Sequence, residues 1–198
     1  MTPSPALRNA VRIVALLNLA FFGVEMAVAL RIASVSLLAD SADFFEDAAV
    51  NFLIFTVLGW SPIQRARVGM ALSAVLLLPA AAFLWTLWGK LAHPVPPQPL
   101  ALGVTGLAAL AINLSCAFLL ARYRAHSGSL TKAAFLSARN DAIANVAIIA
   151  AGAVTALTRS LWPDVIVGLG IAVMNADAAR AVWTAARDEH RDAAAAQP

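Results

Sequence analysis

Six long apolar stretches, at about residues 9–30, 37–58, 69–89, 100–121, 133–156 and 161–184, constrain this chain more than any other feature. At ~1.5 Å per residue, about 20 residues cross the ~30 Å hydrocarbon layer of a bilayer, and each stretch is long enough. Hydrophobic residues make up 61% of the 198 and charged residues 13%. Soluble domains hold about 45–50% apolar residues, and a domain this small could not hide the surplus. The sequence therefore predicts an all-α polytopic membrane protein with six transmembrane helices. A single domain over residues 1–198 is expected, with 185–198 as a short cytoplasmic tail.

The first stretch is too long for a signal peptide, contains Glu25 and is followed by five more spans, so it reads as a true span. Cys116 is the only cysteine, which excludes an intrachain disulfide and suits a small packing residue. Basic residues set the orientation. Arg8, Arg12, Arg65, Arg67, Arg122, Arg124, Lys132, Arg180, Arg187 and Arg191 fall at the termini and in the second and fourth loops, whereas the other loops hold only Arg31, Lys90 and Arg159. Both termini are thus expected in the cytoplasm. The net charge of +3 follows from this topology and gives no sign of nucleic-acid binding. The segment "HPVPPQP" at 93–99 cannot be helical and reads as an external turn. Pro79 is expected to kink the third helix.

The stretch "ADSADFFEDAAVNFL" breaks the apolar pattern with Asp40, Asp43, Glu46 and Asp47. Spacings of four place Asp43, Asp47 and Asn51 on one face of the second helix, and Ser137, Asp141 and Asn145 on one face of the fifth. Counting ~1.5 Å per residue from the span ends puts Asp47 about 15 Å from the outer boundary and Asp141 about 14 Å from the inner one, both near the midplane. "EDAAVNFLI" from Glu46 also matches "NDAIANVAI" from Asn140, and "NL" at 18–19 answers "NL" at 113–114. The offset equals three spans, so the sequence predicts two inverted three-helix repeats, a recurrent transporter design with the site at their interface.

A charged Asp at the midplane costs at least about 2.5–3.5 kcal/mol. Protons, a basic partner or a bound cation must compensate. Arg139 is the one base clearly inside a span, and it points away from Asp141, toward the interface or toward Glu46. A purely structural polar network is the bland alternative. The favoured reading is an oxygen-rich site for a divalent cation, at which metal and protons compete, the logic of an antiporter.

The ordered segments "LNLAFFGVE", "SVSLLADSADFFEDA", "RARVGMALSAVLLL", "AINLSCAFLL" and "LSARNDAIANVAIIAAG" resemble the membrane domain of the cation diffusion facilitator family of metal/proton antiporters, over about residues 8–184. The resemblance implies export of divalent metal ions by alternating access, from a homodimer in a bacterial inner membrane. Carried over residue by residue, the metal ligands are Asp43, Asp47 and Asp141, with Ser137 or Asn145 completing the shell. Glu25, Asp40 and Asn51 fall on the proton or access path, and Asn18 and Asn113 on positions typically polar in the family. Ser137 stands where the family usually has histidine. The resulting all-oxygen site tilts the cargo toward hard ions such as manganese, iron(II) or magnesium, with cobalt, zinc and cadmium still open. The sequence ends before the cytoplasmic metal-binding domain that many relatives carry, and its loop between the fourth and fifth spans is not rich in histidine.

His93, His126 and His190 are isolated, with no second ligand at metal-binding spacing. Trp60, Trp85, Trp88, Trp162 and Trp183 sit near span ends as an aromatic belt. Gly103, Gly106, Ala109, Gly168 and Gly170 suit close helix packing. Asn175 and Asp177 read as an interfacial finish to the sixth span. No nucleophile, phosphate loop or prosthetic-group motif marks an enzyme. Two rival readings keep the fold: a non-transporting, metal-responsive membrane partner or subunit, and a monovalent cation/proton antiporter.

Overall fold

The computed structural model describes residues 5–56, 77–122 and 128–176. The expectations that rest on Trp60, Arg65, Arg67, Arg124, His126, Asp177, Arg180, Trp183, Arg187, His190 and Arg191 lie outside the described residues, as does the first part of the third span. Among the described residues there are six helical segments: α1 (Pro5–Ile32), α2 (Val35–Thr56), α3 (Leu77–Ala92), α4 (Pro99–Ala121), α5 (Gly128–Thr158) and α6 (Trp162–Ala176). The described part of α3 begins two residues before Pro79, so the expected kink involves residues outside those described.

Length and composition let α1, α4 and the Asn140–Thr158 part of α5 cross a membrane, and α6 is a shorter apolar helix. Four acids keep α2 out of that class although it is long enough. Large apolar side chains such as Leu16, Leu19, Val24, Leu107, Phe118, Ile143 and Ile166 are turned outward, as lipid-facing surfaces require. Trp85, Trp88 and Trp162 are exposed as well, in keeping with the expected belt.

Packing pairs α4 with α5 and α1 with α2 most extensively, and α1–α4, α2–α3 and α2–α5 contacts join the pairs. Since α1 and α4 start at opposite ends of the bundle, the α1–α2 and α4–α5 hairpins have the inverted relation that the repeat predicts. The inward face of α1 carries Val11, Val14, Ala15, Asn18, Glu25 and Ala29, a helical stripe. That of α4 carries Leu102, Gly106, Ala109, Asn113, Cys116, Ala117 and Leu120. One apolar cluster gathers Ala29, Val35, Leu37, Leu38, Leu102, Ile148, Leu161 and Val165, and a second gathers Val11, Val14, Cys116, Ala117 and Leu120. Along α1 and α4 the buried polar residues Asn18, Glu25 and Asn113 fall between these two clusters. Phe21 packs at a tilt against Phe44, ring centres 4.9 Å apart, and Phe22 against Phe45 at 5.0 Å, which helps set the register of the first hairpin.

The turns at the far end of the bundle, opposite the start of α1, are short. Helix α1 ends at Ala33 in the left-handed region (φ 50°), with Ser34 N–H donating to the Ala29 carbonyl at 2.9 Å. Gln98 and Pro99 open α4 after the predicted proline turn, proline at the first helical position needing no intrahelical partner.

Small residues set the closest approaches. A Cβ on Gly152 would lie 3.1 Å from the Gly103 nitrogen, and one on Gly168 would lie 2.8 Å from the Ser36 nitrogen and the Val35 carbonyl carbon. Gly170, expected to serve packing, has open space around it. Gly168→Ala should therefore destabilise by about 1–3 kcal/mol through overpacking. Gly170→Ala should be neutral or stabilising by up to about 1 kcal/mol through helix propensity. Thermal unfolding in detergent reads both.

Candidate functional site

Helix α2 carries the acids into the bundle on the face its spacing predicts. Asp40 and Asn51 are buried, while Asp43, Asp47 and, on α5, Asp141 are only partly covered. The Asp141 carboxyl comes within hydrogen-bonding range of Asp47 and near enough to Asp40 and Glu46 to feel their charge. Asp43 in turn feels Asp141, Asp40, Glu46 and Asp47. The structure thus brings together, across the two hairpins, the three aspartates that the sequence selected. Among the described residues, no three His, Cys, Asp or Glu side chains are grouped so that they could hold a metal ion in this conformation. Ser137 lies one helical turn before Asp141 along α5. The Arg139 side chain, and with it the pairing to Glu46, lies outside the described residues.

A second polar arrangement runs beside this face. Asn113 Nδ2 donates to Asn145 Oδ1 at 2.9 Å, and Asn145 Nδ2 donates to Asp40 Oδ2 at 2.5 Å. This chain links α4, α5 and α2, and all three residues are buried. Asn145 thereby orients Asp40 and keeps one lone pair on Oδ1 for a further contact. Glu25 of α1 lies close enough to Asp40 to feel its charge. Both Glu25 oxygens and Asp40 Oδ1 are buried without a hydrogen-bond partner among the described residues. Asn51 spends its amide N–H on the Asp47 carbonyl of its own helix, at 2.8 Å. Cys116 is a buried packing residue as expected, its thiol donating to Asn18 Oδ1 at 3.7 Å.

Carboxyl groups thus face each other in pairs, Asp47 with Asp141 and Glu25 with Asp40, in a region with no basic side chain among the described contacts. Such pairs repel when ionised and hold a proton or a cation between them. The arrangement can bind and exchange small cations, and it offers no nucleophile–base pair for covalent chemistry.

Sequence reasoning missed a third group at the far end of the bundle. Lys90, taken as a loop residue, lies in the last turn of α3 and is only 3% exposed. Its Nζ donates to Asp164 Oδ2 at 2.6 Å and to the Ala33 carbonyl at 2.7 Å. An acid in the first turn of α6 and a base in the last turn of α3 were the available signal, and both complement the helix dipoles. Asn175, expected as an interfacial finish, donates to the Ala39 carbonyl at 3.0 Å and so ties α6 to α2.

The family model for the cation efflux transmembrane domain matches residues 11–187, and the chain belongs to the cation efflux family. A comparison with curated proteins gave no match. Membership makes the protein an integral-membrane cation transporter rather than an enzyme, with metal cations as its substrates.

The asparagine chain makes a stability prediction. Asn145→Leu strips Asp40 and Asn113 of a partner, at about 1–3 kcal/mol for each buried group left unsatisfied. Asn51→Leu removes only a bond within its own helix and should change stability by less than about 1 kcal/mol. Denaturation of the two variants in detergent, side by side, checks the contrast.

Proposed function

We propose that the protein is a secondary active antiporter that exports a divalent metal cation in exchange for protons, by alternating access. Asp43, Asp47 and Asp141 bind the ion, with Ser137 or Asn145 completing the shell. Glu25, Asp40 and Asn51 line the proton or access path. The observation that carries this reading is the meeting of Asp47 and Asp141, on helices of opposite hairpins, within hydrogen-bonding range. A site shared by two halves changes its exposure when the halves rock against each other.

The chemistry follows from the donor set. Carboxylates must be ionised to bind metal, so a metal arriving at a protonated pair releases protons, and protons returning from the other side release the metal. Oxygen donors suit manganese and iron(II), with magnesium, cobalt, zinc and cadmium as the other ions to compare. Export toward the outside of a bacterial inner membrane, from a homodimer with both termini in the cytoplasm, completes the proposal.

The test is proton release on metal addition, read with a pH dye in weakly buffered detergent solution. Wild type should release protons on addition of manganese. Asp47→Asn should abolish the release and weaken binding by more than the 10–100-fold typical of losing an outer-shell partner. Unchanged release from Asp47→Asn would remove that residue from the site.

A further inference from the structure

The far end of the bundle is closed by ionic and hydrogen-bonded groups where apolar packing would have served. Asp164 Oδ1 accepts from Ser34 Oγ at 2.7 Å, Ser36 N at 3.1 Å and Ser36 Oγ at 2.6 Å. Its Oδ2 accepts from Val35 N at 3.0 Å and Lys90 Nζ at 2.6 Å. One carboxylate therefore takes up free N–H groups of the first turn of α2, both serine hydroxyls and the ammonium group at the end of α3. Lys90 also holds the carbonyl of Ala33, the left-handed residue of the α1–α2 turn. The ends of α1, α2, α3 and α6 converge on this carboxylate, and the two ionic side chains are 1% and 0% exposed. One turn further along α6, Gly168 is pressed backbone to backbone on Val35 and Ser36.

Position gives the group its significance. Along α2, the anchored residues Ser34 to Ser36 come first, then Asp40, then Asp43 and Asp47, within ~20 Å at ~1.5 Å per residue. The clasp thus stands between the acidic face and the far-side solvent. A buried ion pair gains little over well-packed apolar side chains, because both charges must be desolvated. Water can, however, replace each of its bonds when the ends separate, whereas exposed apolar packing has no such substitute. A polar closure of this kind suits a contact that is made in one state of the transporter and lost in another.

We propose that Asp164 and Lys90 form the far-side gate of the cation path: paired, they hold α3 and α6 against the α1–α2 turn and shut the acidic face from that side, and release of the cation there requires them to part. The proposal rests on the alternating-access reading above, and it gives the two residues a positioning role distinct from metal binding.

Cys116 is a native reporter, since it is buried and lies near enough to Asp47 and Asp141 to feel their charge. A membrane-impermeant cationic methanethiosulfonate is applied to the full-length protein, first in intact cells and then in inside-out vesicles, and the modified fraction is read by mass spectrometry. The double replacement Lys90→Met with Asp164→Leu removes both charges together and leaves no unpaired ion. It should speed modification by about tenfold or more from the far side, as a shift of the open population, with no rise from the other side. Equal rates in wild type and variant, or an equal rise from both sides, would overturn the gate, the second result marking general loosening. Asp164→Asn, which keeps the shape of the acceptor, should give a smaller rise from the same side and serves if the double variant does not accumulate. No flux is measured, so the result stands whether or not the protein exchanges metal for protons.

Discussion

Carboxylates that lipid would expel are the constraint on which this structure depends. Helix α2 carries Asp40, Asp43, Glu46 and Asp47 into a bundle whose outer surface is apolar. At several kcal/mol for each charge brought into hydrocarbon, such a helix is tolerable only inside a sleeve of others. Helices α1 and α5 supply part of that sleeve, and α4 reaches α2 through the Asn113–Asn145–Asp40 chain. The polar residues stay in one layer because apolar clusters close the bundle on either side of them.

Two modes of charge compensation coexist. At the far end, Asp164 is satisfied five times over by protein donors, which makes it a fixed joint within this conformation. In the middle of the bundle, Glu25 and one oxygen of Asp40 have no hydrogen-bond partner among the described residues, and Asp47 faces Asp141. Groups that the protein satisfies hold this conformation closed. Groups that it leaves to face one another are where cations can come and go. Membership of the cation efflux family agrees with this division of labour.

Much of this was legible in the sequence because it depends on local periodicity. The apolar runs gave the helices, the proline cluster at 93–99 gave the α3–α4 turn, and the spacing of Asp43, Asp47 and Asn51 gave one face of α2. The inverted repeat anticipated the pairing of α1–α2 with α4–α5. What remained hidden depends on non-local neighbours. Lys90 looked like a loop residue because counting hydrophobic residues ends the third run at its first charge. Only the packing of α6 against the α1–α2 turn reveals why a lysine can be buried there. The bond from Asn145 to Asp40 spans two helices, and no spacing rule along either one reports it. Gly152 escaped notice for the same reason, since its role lies in the backbone of Gly103 on the neighbouring helix.

The central claim, that paired aspartates from two hairpins exchange a divalent metal for protons, is tested most directly by transport in sealed proteoliposomes. Manganese, iron(II), cobalt, zinc, cadmium and magnesium are supplied in turn while internal pH and metal uptake are followed, for wild type and Asp141→Asn in parallel. The account predicts uptake of one or a few of these ions, coupled to opposing proton movement and lost in the variant. Metal uptake with no change in internal pH, or coupled exchange that survives in Asp141→Asn, would contradict it.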